Sequence, residues 1–282
     1  MNVFSKILFI LFFCSHSSAY SQIKRGTVGV IYFTDDKIVM AADSRGSGRS
    51  DETLDDKQCK VTALGKQIVF ISAGFSGYQN VGTRDLVPTW SNSGEAHSVY
   101  GQLRAGSGEP LFIYMLASEW ARRIVGYLNL IYRAQPQTLI SASEAGVLTS
   151  ALFGGLAGND RLIILYTRIT IDPTKLPAIS FDAPRPAGPP LCAPWCILGK
   201  GAVATEYLET ISPRAMQESA QWREDSKRFS LGDRDALLAI RLVDLTLAYE
   251  KNQGVGGPID ALELTPGKGV SWIQRKDSCP AD

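Results

Sequence analysis

Histidine is nearly absent from this chain, with two in 282 residues, and one of them, His16, lies in an N-terminal stretch read below as removed. A histidine-based metal centre therefore lacks ligands, and a Ser/His/Asp hydrolase would have to run through His97 alone. An excess of charge is missing too. Lys plus Arg number 29 against 28 Asp plus Glu, so the composition suits neither a phosphate backbone nor an anionic lipid surface, and no nucleic-acid partner is expected. What remains is ordinary for a chain that buries a core: 45% apolar and 20% charged residues, in a length that fits one large domain or two small ones.

The first 21 residues read as an export signal. Lys6 carries the only charge, Ile7 to Cys14 form the apolar region, and Ala19-Tyr20-Ser21 spaces small residues for signal peptidase. That apolar run is too short to span a bilayer comfortably, so no membrane span is expected, and the mature chain is expected to be secreted or periplasmic. Removing residues 1–21 leaves Cys59, Cys192, Cys196 and Cys279, an even number in an oxidising compartment. Cys192-Ala-Pro-Trp-Cys196 is spaced to close a small loop, and a Cys59–Cys279 bridge is the second pairing open. A metal half-site at 192–196 finds no second half, so neither metal nor other cofactor is expected.

Along the chain, residues 27–45 alternate and then run apolar around a turn at Asp35-Asp36-Lys37, which predicts a hairpin. A second pair, 59–64 and 67–74, turns at Gly65-Lys66. Four strands in succession predict an antiparallel sheet. Residues 111–133 keep apolar positions at helical spacing and predict a long helix. Strands return at 151–156 and 161–171. The proline-laden stretch 172–190 reads as a surface connection, as does the polar segment 91–108, where His97 receives no role. A short helix is expected near 202–211 and another from Ser230, followed by a closing hairpin at 259–265 and 270–275.

Gly26-Thr27, Ala41-Ala42-Asp43-Ser44-Arg45, Cys59-Lys60-Val61 and Ser72-Ala73-Gly74, taken with this strand order, resemble the proteasome β-subunit family of N-terminal nucleophile hydrolases, including the bacterial ring protease HslV. The resemblance spans roughly residues 26 to 275. It implies an α+β fold, a four-layer αββα sandwich of two antiparallel sheets, over a domain at 27–282 preceded by a short propeptide at 22–26.

The resemblance also implies a chemistry. A threonine hydroxyl is a poor nucleophile without a base beside it, and a chain that begins at threonine supplies that base as its own α-amine, so no histidine is needed. Thr27 would be the nucleophile, freed by self-cleavage after Gly26. Lys60 would favour the deprotonated forms of the Thr27 hydroxyl and amine, Asp43 would hold Lys60, and the Gly74 N–H would face the oxyanion. Ser47, Ser72 and Ser76 would contact substrate, a peptide or a small amide. Self-association into a ring is a further expectation.

The chain departs from the family where Gly199-Lys200-Gly201 sets Lys200 in place of an assisting serine, and where Asn252 and Val255 occupy the positions of a later Asp and Ser. These departures, with Arg45, leave the outer part of the site open. Aligning Val28-Gly29 with the family's Val-Gly would instead put Arg25 in the nucleophile position. Two readings follow: an exported threonine peptidase or amidase, and a catalytically silent subunit that binds or assembles.

Overall fold

A computed structural model describes residues 22–24, 27–47, 54–55, 58–79, 87–104, 112–157, 161–188, 194–210, 234–250 and 255–280. In chain order, β1 (Gln22–Lys24) precedes the hairpin of β2 (Val28–Phe33) and β3 (Ile38–Asp43). The short strands β4 (Gly46–Ser47) and β5 (Leu54–Asp55) lead to a second hairpin, β6 (Val61–Leu64) with β7 (Ile68–Gly74). After β8 (Gly77–Gln79) and β9 (Trp90–Ser91) come three helices, α1 (Asn92–Arg104), α2 (Phe112–Ala134) and α3 (Pro136–Ala142). Long strands β10 (Val147–Leu156) and β11 (Leu162–Ile171) follow, then β12 (Ile179–Phe181), β13 (Arg185–Pro186) and β14 (Trp195–Gly199). Helices α4 (Ala202–Thr210) and α5 (Arg234–Tyr249) precede the closing hairpin of β15 (Ile259–Thr265) and β16 (Gly269–Gln274).

These strands correct the expected fold. In place of an αββα sandwich of two sheets, the described residues form a mixed α and β fold with five helices and four antiparallel sheets. The largest sheet has six strands in the order β12-β11-β10-β7-β6, with β13 also on β11, and the next has five in the order β14-β2-β3-β15-β16. A three-stranded sheet β1-β8-β9 and the pair β4-β5 stand apart from them. The two small sheets escape a hydropathy reading because strands of two or three residues are too short to show an alternation, even where Tyr78 and Trp90 are buried in the core. The first four long strands also do not share one sheet: β2-β3 and β6-β7 fall in different ones.

Three apolar cores hold the elements. Period-two alternation sends neighbouring residues of one strand to opposite sides, and β7 shows it: Phe70 packs with Trp120 and Leu116 of α2, whereas Val69 and Ile71 pack with Ile38, Met40 and Leu262 from the five-stranded sheet. On that sheet's other side, Val39 and Ala41 meet Leu238, Leu242 and Val243 of α5. Both large sheets are thus covered on both faces, which is why β3 and β6 are buried along their whole length.

Two connecting segments turn out to be structured. His97 lies within helix α1, whose buried positions Ala96 and Val99 seat it on the core. Within the proline-rich stretch, β12 and β13 pair with β11 at the edge of the six-stranded sheet, where prolines do not interrupt a central ladder. Among the described residues no helix is long and apolar enough to cross a membrane.

Candidate functional site

β3 ends in Asp43, which is completely buried. A buried carboxylate needs partners, and four bonds supply them. Val28 N–H donates to Oδ1 at 2.9 Å, Gly256 N–H to Oδ2 at 3.0 Å, and the Lys60 ammonium to both oxygens at 3.0 Å. Lys60 Nζ also donates to the Arg45 carbonyl at 2.5 Å. The Lys60 side chain is 1% exposed, so a dry, fixed cation sits at the end of the strand pair.

Thr27, 1% exposed, is one peptide bond from Val28, whose N–H shares Asp43 Oδ1 with Lys60. Its carbonyl accepts the Lys200 N–H at 2.9 Å. Gly199 makes that contact possible: its φ is +72°, and a Cβ there would collide with the Thr27 carbonyl and lie 3.1 Å from Ala73 Cβ. Lys200 therefore meets Thr27 through its backbone.

Gly74 closes β7 at φ +96°, where a Cβ would stand 2.5 Å from the Leu148 carbonyl. The turn is pinned by Phe75 N–H donating to that carbonyl at 2.7 Å and by Thr149 Oγ1 donating to the Ala73 carbonyl at 2.9 Å. Arg45 contributes its carbonyl to Lys60, while its guanidinium lies against Gly256, whose added Cβ would be 2.5 Å from Nη1. Val255 is buried beside Gly256. Ser47 pairs with Leu54 through the backbone of the two-stranded sheet. Gly26, Arg25, Asn252 and residues 1–21 lie outside the described residues.

Ser72 and Ser76 line one cavity of about 330 Å³ together with Lys60, Thr62, Asn92 and His97. Ser76 Oγ donates to Gln58 Oε1 at 2.9 Å, and His97 Nε2 shares a hydrogen bond with Thr62 Oγ1 at 2.8 Å. Burial pushes the His97 imidazole below its ordinary value, which favours the neutral ring. Among the described residues no group of three or more His, Cys, Asp and Glu is placed to hold a metal ion.

The cavity rim is tied down by the chain's C-terminal end. Cys59 and Cys279 form a disulfide, Pro280 lines the cavity, and Lys276 Nζ bridges the Gln58 carbonyl and Asp260 Oδ2, the latter at 2.8 Å. Cys196 is also disulfide-bonded, and Cys192, its expected partner, lies outside the described residues. Sequence reasoning missed Gly256, Asn92 and His97. Only the Gly254-Val255-Gly256-Gly257 run gave any sign of the first.

No family model matches this chain, and no curated protein does. Solved structures similar to it include an Anbu (Gly-1) mutant from Hyphomicrobium sp. strain MC1, at 17% identity over 89% of both chains with a TM-score of 0.46. Another is Anbu (ancestral beta-subunit) from Yersinia bercovieri, at 15% identity over 88% of both chains, also with a TM-score of 0.46. These findings correct the resemblance to proteasome β-subunits of the HslV type: no family model matches, and the two similar structures named here are those of Anbu. At such identity and TM-score, nothing of their chemistry passes to this chain.

Proposed function

We propose that this chain is an exported threonine-type amidohydrolase, acting on peptide or small amide bonds after self-cleavage between Gly26 and Thr27. The observation that carries the reading is the dry Lys60 ammonium, held by both oxygens of Asp43 while Oδ1 also holds the residue after Thr27. A cation within reach of the Thr27 hydroxyl would favour its alkoxide, and such positioning would be preorganised electrostatic catalysis.

In maturation, Thr27 Oγ attacks the Gly26 carbonyl carbon, the Gly26–Thr27 C–N bond breaks, and the acyl group passes to the hydroxyl as an ester. The hydroxyl proton ends on the released amine. Water then hydrolyses the ester, leaving a Gly26 carboxylate and a Thr27 that carries both nucleophile and base. In turnover the free amine takes the Oγ proton as Oγ attacks the substrate carbonyl and returns it to the leaving amine as the C–N bond breaks; water, deprotonated by the same amine, then hydrolyses the resulting acyl ester, releasing the carboxylate and restoring the Thr27 hydroxyl. The Gly74 N–H supplies the oxyanion contact. The cavity lined by Ser72 and Ser76 receives the substrate.

One observation favours the silent alternative. β1 lies upstream of the proposed cut and pairs with β8 through Gln22 and Gln79, Ile23 and Tyr78, and Lys24 and Gly77. A segment held in a sheet suits an uncut chain that binds or assembles. Intact-mass analysis of the purified protein separates the readings: the amidohydrolase begins at Thr27, and the Thr27→Ala chain does not. A wild-type chain that keeps β1 and hydrolyses no peptide or amide substrate overturns the proposal.

A further inference from the structure

We propose that Lys276, near the C-terminal end of the chain, is a positioning residue for Lys60: it fixes the segment that carries Lys60 and so sets where that ammonium stands. The catalytic consequence rests on the amidohydrolase reading, whereas the positioning itself does not.

A second buried ion pair carries the inference. Asp260 is 1% exposed, and Lys276 meets it twice, donating its backbone N–H to Oδ1 at 3.0 Å and its ammonium to Oδ2 at 2.8 Å. The Lys276 side chain is 9% exposed. Such a pair stabilises a fold no better than apolar side chains of similar volume, because desolvation offsets the attraction. What it supplies is a charged donor in a fixed place. That donor also reaches the Gln58 carbonyl, two residues before Lys60. Its anchor is a central strand: Asp260 stands opposite Ala42 in the ladder of β15 and β3, beside the residue that holds Lys60.

Gln58 is the joint between the two lysines. Its N–H donates to the Ser44 carbonyl at 3.3 Å, its Oε1 accepts from Ser76 Oγ at 2.9 Å, and its carbonyl takes the Lys276 ammonium. Ser44 adjoins Arg45, whose carbonyl accepts Lys60 Nζ. On the other side, the Lys60 carbonyl accepts the Ser72 N–H at 3.3 Å. Residues 58–60 precede β6, so these bonds and the Cys59–Cys279 bridge hold them where no strand ladder does. The bridge joins the two segments through side chains, whereas the ion pair orients the Gln58 peptide itself. Lys276 thus acts on Lys60 through main chain, from a site that touches neither Thr27 nor the cavity lining other than Gln58 among the contacts described.

The test compares the full wild-type chain with a Lys276→Met, Asp260→Asn double variant, which removes both charges together, and with Lys276→Arg, which keeps a cation able to reach both partners. Proton–nitrogen NMR of lysine ammonium groups reads Lys60 without any activity, since a dry, hydrogen-bonded ammonium exchanges slowly enough to be seen. The signal lost in Lys60→Arg assigns it. This signal is expected to move or broaden in the double variant and to keep its place in Lys276→Arg. Turnover by the double variant should fall about tenfold or more, the scale on which misplacing a group by about 1 Å acts. The acid limb of its kcat/KM profile should move to higher pH, because a displaced cation no longer favours the neutral Thr27 amine. A merely structural Lys276 would lower the melting temperature and move neither signal nor limb. A folded double variant with an unchanged Lys60 signal overturns the proposal, as does an equal shift in Lys276→Arg. Should the double variant not fold, Lys276→Gln takes its place and the same shift is required of it. The hydrolase reading fails separately: a wild-type chain that is never cut before Thr27 and turns over no substrate sinks that reading, while the ammonium signals still decide what Lys276 does.

Discussion

Asp43 grips Lys60 with both carboxylate oxygens at 3.0 Å while sharing one of them with the N–H of Val28. The pair couples the residue after Thr27 to a buried cation, and Gly256 N–H completes the set from 213 positions away. Removing either member leaves an uncompensated charge in a dry place.

Lys60→Ala is therefore expected to abolish the cut before Thr27 and to lower turnover by about 10²-fold or more, the size of a lost proton-transfer aid. It should also cost stability. Asp43 is fully buried and cannot reach water as a strand-end carboxylate would, so a loss of about 3–5 kcal/mol is expected from breaking the pair. The double variant Asp43→Asn, Lys60→Met removes both charges and should lose less stability than Lys60→Ala alone. Denaturant unfolding measures this. A Lys60→Ala chain of unchanged stability that is still cut before Thr27 would overturn both roles.

His97 gives the pH dependence a clear sign. Burial lowers its pKa in the folded state below the ordinary value of 6.5, so as pH falls below that value the unfolded chain takes up the proton first. The stability that comes from keeping this ring neutral is whole above about pH 6.5 and is lost as pH falls toward the folded value. With only one other histidine in the sequence, the effect is separable. Thermal melts of wild type between pH 7 and 5 should fall more steeply than those of His97→Gln, which keeps a nitrogen within reach of Thr62. Parallel slopes would remove His97 from the account.

The Cys59–Cys279 bridge closes a loop of sequence separation 220 and fastens the C-terminal end to the residue before Lys60. Cys279→Ser is expected to cost about 2–4 kcal/mol. It should also loosen the cavity rim, because Lys276 and Pro280 lie within four positions of the lost anchor. Hydrogen exchange should then rise at residues 58–62 and 275–280 ahead of the rest of the chain. Unchanged protection at 58–62 would show that the bridge stabilises the chain without shaping the site.

Much of the backbone was legible beforehand because hydrophobic periodicity is a local signal. The hairpins 28–43 and 61–74, helix α2 and the closing hairpin all follow from alternation or helical spacing that packing then reinforces. Asp43 and Lys60 were legible as candidates only through the resemblance carried by the motifs around them, since a charge at a strand end taken alone reads as a surface ion.

Tertiary structure alone decided the rest, since it depends on meetings between distant segments. Nothing local distributes the first two hairpins between different sheets, brings Gly256 to Asp43, or pairs Cys59 with Cys279. Asn92 and His97 read as loop residues because α1 is polar on most of its surface and buries only Asn92, Ala96 and Val99. Strands of two or three residues carry no periodicity at all, so β1 became a strand only when β8 offered it main-chain partners. What the sequence by itself determined is which segments alternate and which residues are chemically conspicuous. Which of them touch was decided by the cores, where burial on both faces of each large sheet admits a single arrangement of neighbours.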